Sequence, residues 1–317
     1  ASGGAFTTFA FPLARRVRAR LSAPELFTVQ PMSQPTGKIF YLDFKYGTTD
    51  GGAGVTEGER IDLPTTNTDR TYADRTNETG DVNEMNMDIS EVTVTAVQKA
   101  LKAEWTIEAA QDLMAYHSLE AESELLAVMA DQIIREIDRN LISDCLDGAT
   151  AGTVTWDAGG YAGTLPSEQR AHNETLYEAI VEANNYIYKK RYVDATWIVA
   201  DPDTVSRLEK IQGFAMNDFM GASGDIGHRG RHLFGTLKNR WLVYKDPWMT
   251  ANTMLMGYRG SSWMDAGYVY APYIPFYVSP TLIDPDTFKP RRGMMSRYAK
   301  QMVIGDMYST VTITPAS

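Results

Sequence analysis

The chain has 317 residues, a formal charge of -10, 44% hydrophobic and 22% charged residues and one cysteine, which excludes both a disordered chain and a disulfide-stapled miniature. No run approaches the roughly 18 apolar residues of a membrane span, so a soluble protein with no membrane partner is expected. The acidic balance argues against a general nucleic-acid binder, whose affinity rests on a basic footprint.

Residues 1–37 read as an extended arm, because Gly3, Gly4, Pro12, Pro24, Pro31, Pro35 and Gly37 punctuate almost every candidate element. A helical patch between Leu13 and Leu21 holds Arg15, Arg16, Arg18 and Arg20, the densest basic cluster in the chain. It is either an arm contact to acidic neighbours or nucleic acid, or a solvated helix face.

Ile39, Phe40, Tyr41, Leu42, Phe44 and Tyr46 predict a strand bounded by Gly37 and Gly47. Gly47 to Gly80 is glycine-rich and polar, with too little apolar surface for a separate core. A second strand follows at Ile89, Val92, Val94 and Val97, so the two runs form a long hairpin with a polar tip. A lone two-stranded projection is marginal in water, which implies that it lies on something else, such as a neighbouring subunit.

No glycine or proline occurs between Gly80 and Gly148. Leu126, Met129, Ile133, Ile137 and Leu141 recur at spacings of three and four, predicting a helix from Ser118, as its cap, to Asp147. Such a helix is about 45 Å long and acts as a spine. After a glycine-rich loop from Gly148 to Gly163, a second amphipathic helix is expected over Asn173 to Arg191, then a strand at Thr196 to Val199. A short helix begins at Asp201, Pro202 and Asp203. Strands at Arg240 to Tyr244, Thr253 to Met256 and Tyr268 to Tyr270 complete a compact α/β region. Arg292 to Ile304 and Met307 to Ile313 read as two antiparallel strands joined near Gly305 and Asp306.

No catalytic, cofactor or metal template survives. His228 and His232 are four apart, but Gly227 and Gly230 oppose a helix and no glutamate stands in the general-base position of a zinc hydrolase. A loop in which His228, Arg229 and Arg231 are basic interface residues is the better reading. The glycines at 221, 224 and 227 match neither phosphate-binding spacing, and Ser223 lacks a nucleophile elbow. Cys145 falls near the apolar stripe of the spine, where a thiol is inert. Asp201 with Asp203, and Asp284 with Asp286, flank prolines and suit turns.

The irregular segments are more specific. Val29-Gln30-Pro31-Met32-Ser33-Gln34-Pro35-Thr36-Gly37-Lys38-Ile39-Phe40, then Asp265-Ala266-Gly267 with Tyr273-Ile274-Pro275, then Asp284 to Pro290 and Gly293 to Tyr298, resemble the major capsid proteins of T-even-like tailed bacteriophages in order and placement. The resemblance covers about a fifth of the chain closely, and Gln34 replaces the glycine usual in its first block. It implies an α+β chain of the HK97-like capsid fold. The parts would be an arm (1–37), an extended loop (38–98), a peripheral domain with the spine helix (99–150), an axial domain (151–280) and C-terminal strands returning to the peripheral domain (281–317).

The function implied is that of a major capsid protein, structural rather than enzymatic, self-assembling into hexamers, with pentamers made by this chain or a paralogue, around double-stranded DNA. Its localisation would be the virion capsid, assembled in the host cytoplasm. Implied partners are further copies, a decoration or cement protein, portal and vertex proteins, scaffold, a prohead protease that would create an N-terminus at Ala1, and weak non-specific contact with DNA. Subunit-interface residues are expected at Arg15, Arg16, Arg18 and Arg20, at Pro31 and Pro35, at Glu57, Arg60, Arg70 and Arg75 in the hairpin tip, and at His228, Arg229 and Arg231. Related capsids carry a domain inserted near the extended loop, for which Gly47 to Gly80 is too short and polar. Rival readings are a nanocompartment shell of the same fold, the vertex paralogue, and an enzyme of unknown type.

Overall fold

The computed structural model describes residues 21, 23–47, 57–58, 85–118, 120–159, 166–216, 232–260 and 266–315. In chain order the elements are α1 (Ala23–Leu26), β1 (Thr28–Val29), β2 (Thr36–Tyr46), β3 (Met85–Thr95), β4 (Val97–Glu104), α2 (Ile107–His117) and α3 (Ala121–Asp147). Then come β5 (Thr153–Asp157), α4 (Pro166–Arg191), β6 (Trp197–Ala200), α5 (Pro202–Leu208), β7 (Phe214–Met216), β8 (His232–Leu237), β9 (Trp241–Lys245) and β10 (Thr253–Gly257). Last are β11 (Tyr268–Val278), β12 (Leu282–Ile283), β13 (Pro290–Met302), a 3-10 turn at Gly305–Met307 and β14 (Tyr308–Thr314).

Two sheets carry the packed body. The seven-stranded sheet has the order β5-β14-β10-β6-β9-β8-β7, and its central strands β6 and β10 are buried at every residue. Because side chains alternate across a strand, Ile198, Ala200, Met254 and Met256 feed one core with α4 and α5. Trp197, Val199 and Leu255 feed another on the opposite face. Burial on both faces explains why these strands read as unbroken apolar runs.

The second sheet joins β1, β11, β13 and β12, with β4 also paired to β13. Its Tyr268, Tyr270, Met294 and Tyr298 enter the same core as Trp197, and the stripe Met129, Ile133, Ile137 and Leu141 of α3 fills the space between the sheets. The 27-residue α3 is about 40 Å long and bridges both sheets, as the 3.6-residue period requires of a helix with one apolar face. The third sheet is the hairpin β2-β3, paired from Thr36↔Thr95 to Tyr46↔Met85.

Several expectations need correction. Ser118 does not cap the spine: it ends α2 in a left-handed conformation (φ 52), and α3 begins three residues later behind Glu120, which makes no side-chain cap. The serine hydroxyl satisfied the capping pattern locally, but α2 already occupied the preceding turn. Replacing Ser118 by glycine removes the steric cost of positive φ, and a gain of about 0.5–1 kcal/mol is expected in urea unfolding of the S118G variant.

The run from Ile89 to Val97 is two strands, β3 and β4, broken at Ala96, whose N–H bonds the Pro35 carbonyl at 2.8 Å. The loop expected over Gly148 to Gly163 contains β5, which pairs in parallel with β14. The helix ending at Arg191 starts at Pro166, seven residues earlier than expected. The two C-terminal strands are not a hairpin. β13 pairs with β11 and β4, whereas β14 pairs with β10 and β5 in the other sheet. The turn at Gly305–Met307 carries the chain between sheets, a crossing that strand periodicity cannot register. β11 likewise belongs to the sheet of β13 and not to the compact α/β region.

The shared core buries the phenols of Tyr268, Tyr270 and Tyr308, each at most 4% exposed. Burial, then the charge of Asp144, raises Tyr268, whose hydroxyl donates to Asp144 Oδ2 at 3.2 Å. Burial likewise raises Tyr308 and pushes Tyr270 up to about 12. Folded pKa values above the unfolded value mean stability that is intact below pH ~10 and lost as pH rises through the folded values, because only the unfolded chain then releases its protons. Each fully buried phenol should subtract at most about 1.4 kcal/mol per pH unit above pH ~10. Urea midpoints measured between pH 8 and 11 check this, with Tyr308→Phe flattening the fall.

Candidate assembly surfaces

The hairpin is covered at its base on one face and carries exposed apolar side chains on the other. Ile39 and Val94, on one face at its base, are buried against Val269, Ala271 and Ala299 of the second sheet. The register places Phe40 opposite Glu91 and Phe44 opposite Met87, with Ile89 between them on the same face. On that outer face Phe40, Phe44 (39% exposed), Met87 and Ile89 (64% exposed) remain uncovered. A bond of 2.6 Å between Lys38 and Glu91 flanks them but is itself exposed and contributes little.

The arm is anchored where it meets the body. β1 lies parallel to β11 with Thr28↔Val269, and the Gln30 and Met32 N–H groups donate to the Tyr270 and Pro272 carbonyls at 2.9 and 3.0 Å. Ala23, Leu26 and Phe27 are buried beside Trp197 and Tyr268, so a short apolar plug fixes the arm to the body.

A second apolar surface lies at the far end of the β11-β13 sheet. Leu101, Tyr277, Met294 and Met295 line an open groove of about 400 Å³, and Phe276, Leu282, Ile283 and Phe288 are exposed on the same strands and turn. The turn is held rigidly. Arg292 donates to Glu122 and, through Nε, to the Ser279 carbonyl at 2.8 Å, while the Thr281 hydroxyl donates to the same Glu122 at 3.0 Å. On α2, Ile107, Met114 and Tyr116 also face outward. Large apolar side chains exposed side by side on a strand face or around a groove, rather than singly, mark candidate contacts with other molecules.

Of the residues expected at subunit interfaces, Pro31 and Pro35 are exposed in the arm-to-hairpin connection, and Glu57 is exposed at a turn whose Gly58 N–H bonds the Tyr46 carbonyl at 2.8 Å. Arg15, Arg16, Arg18, Arg20, Arg60, Arg70, Arg75, His228, Arg229 and Arg231 lie outside the described residues. Charged residues carry the sequence expectation of contacts, whereas the exposed apolar faces are a feature of the folded chain. The available signal was β2, apolar on both faces in a strand that only one neighbour pairs.

Cys145 is fully buried, and burial pushes its thiol well above the usual value, leaving it inert. Asp284 forms a turn, accepting bonds from the Asp286 N–H and the Thr287 hydroxyl that hold its carboxyl below the usual value. Asp201 precedes the first turn of α5, and His232 opens strand β8, not a helix. Among the described residues no group of three or more His, Cys, Asp or Glu side chains could hold a metal ion.

Comparison with known proteins gives these surfaces a context. The family model described as major capsid protein Gp23 matches residues 4–79 and 49–316. The chain is 29% identical over 236 residues to the major capsid protein of Vibrio phage KVP40, covering 69% of this chain and 46% of the relative. It is 28% identical over 234 residues to that of Enterobacteria phage T4, covering 68% and 44%. It is 26% identical over 336 residues to that of Salmonella phage ViI, covering 90% and 74%. The chain thus spans under half the length of the KVP40 and T4 proteins.

Among solved structures, the capsid of a native GTA particle superposes with a TM-score of 0.60 at 15% identity, over 99% of this chain and 97% of that one. The capsid of Myoviridae phage XM1 does so with a TM-score of 0.57 at 11% identity, over 96% and 95%. These likenesses establish the HK97-like capsid fold. With the family model running almost end to end, the chain belongs to the major capsid protein Gp23 family.

Proposed function

We propose that this chain is a shell subunit, many copies of which assemble as hexamers, with pentamers from this chain or a paralogue, into an icosahedral head around double-stranded DNA. The observation that carries the reading is the hairpin: a two-stranded sheet with an uncovered apolar outer face is marginal in water, yet it is one continuous ladder from Thr36 to Tyr46. A second copy supplies the missing surface, and the groove beside Leu101, Tyr277 and Met295 is a matching apolar seat. Shell formation of this kind multiplies weak contacts, and no single interface needs to be tight.

In this reading the arm is 1–37, the extended loop 38–98, the peripheral domain 99–150, the axial domain 151–280, and the C-terminal strands 281–317. Decoration, portal, vertex and scaffold proteins, a prohead protease and assembly in the host cytoplasm follow from the same reading. The matched relatives are named as capsid proteins, which lends an enzymatic role no support. Electron microscopy of the purified full chain is the test. Closed shells of icosahedral symmetry are expected. Dispersed monomers at all concentrations would overturn the proposal, and particles filled with a cargo enzyme and free of DNA would favour the nanocompartment.

A further inference from the structure

We propose that residues 5–11 in the arm of a second copy add to the free edge of β4 as a further strand. This rests on the shell reading and names one way in which its copies interlock. Among the described residues β4 pairs with β13 alone, from Val97↔Tyr298 to Glu104↔Arg291 without a bulge. The Trp105 N–H bonds the Pro290 carbonyl at 3.1 Å, directly opposite it in that register. Bonds to one neighbour recur at every second residue of an antiparallel strand, so the N–H and C=O groups of Gln98, Ala100, Lys102 and Glu104 point away from β13. No described strand takes them up.

Natural sheets blunt such edges with charge, proline or a bulge, and this one is weakly guarded. β4 has no proline, and Lys99 is drawn aside to Glu136 of α3 at 2.7 Å. Both faces of the strand also expose apolar area. Val97 and Leu101 are exposed on the face that Lys99 and Ala103 turn to α3. On the other face Ala100 and Gly293, with little or no side chain, leave the groove of about 400 Å³ that Lys102, Tyr277 and Met295 also line. No described strand closes this groove on the β4 side.

The arm contains a segment that fits. Ala5-Phe6-Thr7-Thr8-Phe9-Ala10-Phe11 is uncharged, lies between Gly4 and Pro12, and is rich in the aromatic and β-branched residues that favour strands. Uncharged segments of this length and propensity aggregate when left unpaired, so an assembled shell must cover this one. As a strand it sets Phe9 and Phe11 on one face and Phe6 on the other. One face then closes the groove beside Ala100, and the other covers Leu101. Backbone bonds supply the affinity of such strand addition, and alternate side chains its register. The segment of the same chain is poorly placed for this. Phe27 packs on Tyr268 with 4.9 Å between rings, and β1 runs on from there parallel to β11. Tyr277 lies toward the far end of β11, about 30 Å along the strand, so residues 5–11 of the same copy would have to fold back over the body.

The test is disulfide formation between two variants of the full chain mixed before assembly, one carrying K102C and the other a single cysteine at a position from 5 to 11. Cys145 is fully buried and stays out of the reaction. Non-reducing gels and mass spectrometry read the bonds between chains. Yield should alternate along the arm, with positions of one parity about 10-fold above the other, because only alternate side chains of a strand face the same neighbour. A100P removes an N–H from the free side and leaves the ladder to β13 intact, so in the K102C chain it should lower the yield about 10-fold while urea unfolding shows the subunit still folded. No bond between chains, equal yields at all seven arm positions, or an equal yield when K210C at an exposed site replaces K102C would overturn the proposal. Bonds formed only within a K102C/F9C chain would overturn it too, giving the edge to the chain's own arm, as would a folded A100P chain with undiminished yield. Microscopy of the wild type decides the shell reading separately, since copies can be joined through the arm whether or not they close a shell.

Discussion

Replacing Phe44 and Ile89 together by glutamate should abolish shells while leaving the subunit folded. Both side chains sit on the outer face of the hairpin, 39% and 64% exposed, and belong to none of the cores formed by the described residues. Their loss therefore costs the isolated subunit little, within roughly 0.5 kcal/mol as for other surface positions. In a shell each would be buried between copies, where a large apolar side chain contributes about 1.5–3 kcal/mol. An unpaired carboxylate in its place carries a desolvation cost of several kcal/mol more. Every subunit repeats the defect, so assembly should fail outright. Light scattering and electron microscopy read the shells, and circular dichroism with urea unfolding reads the fold. Shells of normal size and stability would show that this face is not an interface.

Trp197→Ala should have the largest effect on the subunit itself. Trp197 is 1% exposed, meets Phe27 edge-on at 5.8 Å and Tyr308 at 6.0 Å, and lies where the arm plug, α3 and both sheets converge. Removing a buried indole costs about 3–5 kcal/mol, partly as transfer free energy and partly as a cavity the rigid surroundings cannot close. Trp197→Phe should cost far less, about 1–2 kcal/mol. It keeps an aromatic ring there and removes an indole N–H that has no acceptor among the described residues.

The same site explains Gly257. A Cβ there would stand 2.4 Å from the Trp197 ring and 2.7 Å from the Tyr308 ring, so Gly257→Ala should destabilise by the upper end of the 1–3 kcal/mol seen for overpacking. Urea midpoints with unchanged slopes check all three variants. A Trp197→Ala loss below about 1 kcal/mol would mean that the two sheets are joined elsewhere.

The amino-acid sequence by itself determined the elements whose signals are local. The stripe from Met129 to Leu141 specified α3, the apolar runs at β6 and β10 specified buried strands, and the apolar run after Gly37 specified the first strand of the hairpin. Each of these follows from a repeat of 3.6 or 2 residues, or from turn chemistry at neighbouring positions. Tertiary structure alone decided which sheet each strand joined. β13 and β14 are adjacent in sequence and similar in pattern, yet the turn at Gly305–Met307 sends them to different sheets. Only structure showed that Ser118 ends a helix, because a preceding helix is a fact of packing and not of the cap residue. The exposed apolar faces were hidden for the same reason. A strand apolar on both sides reads as buried, and which side its own chain leaves open depends on Val269, Ala271 and Ala299, more than two hundred residues away and brought beneath the hairpin only by folding.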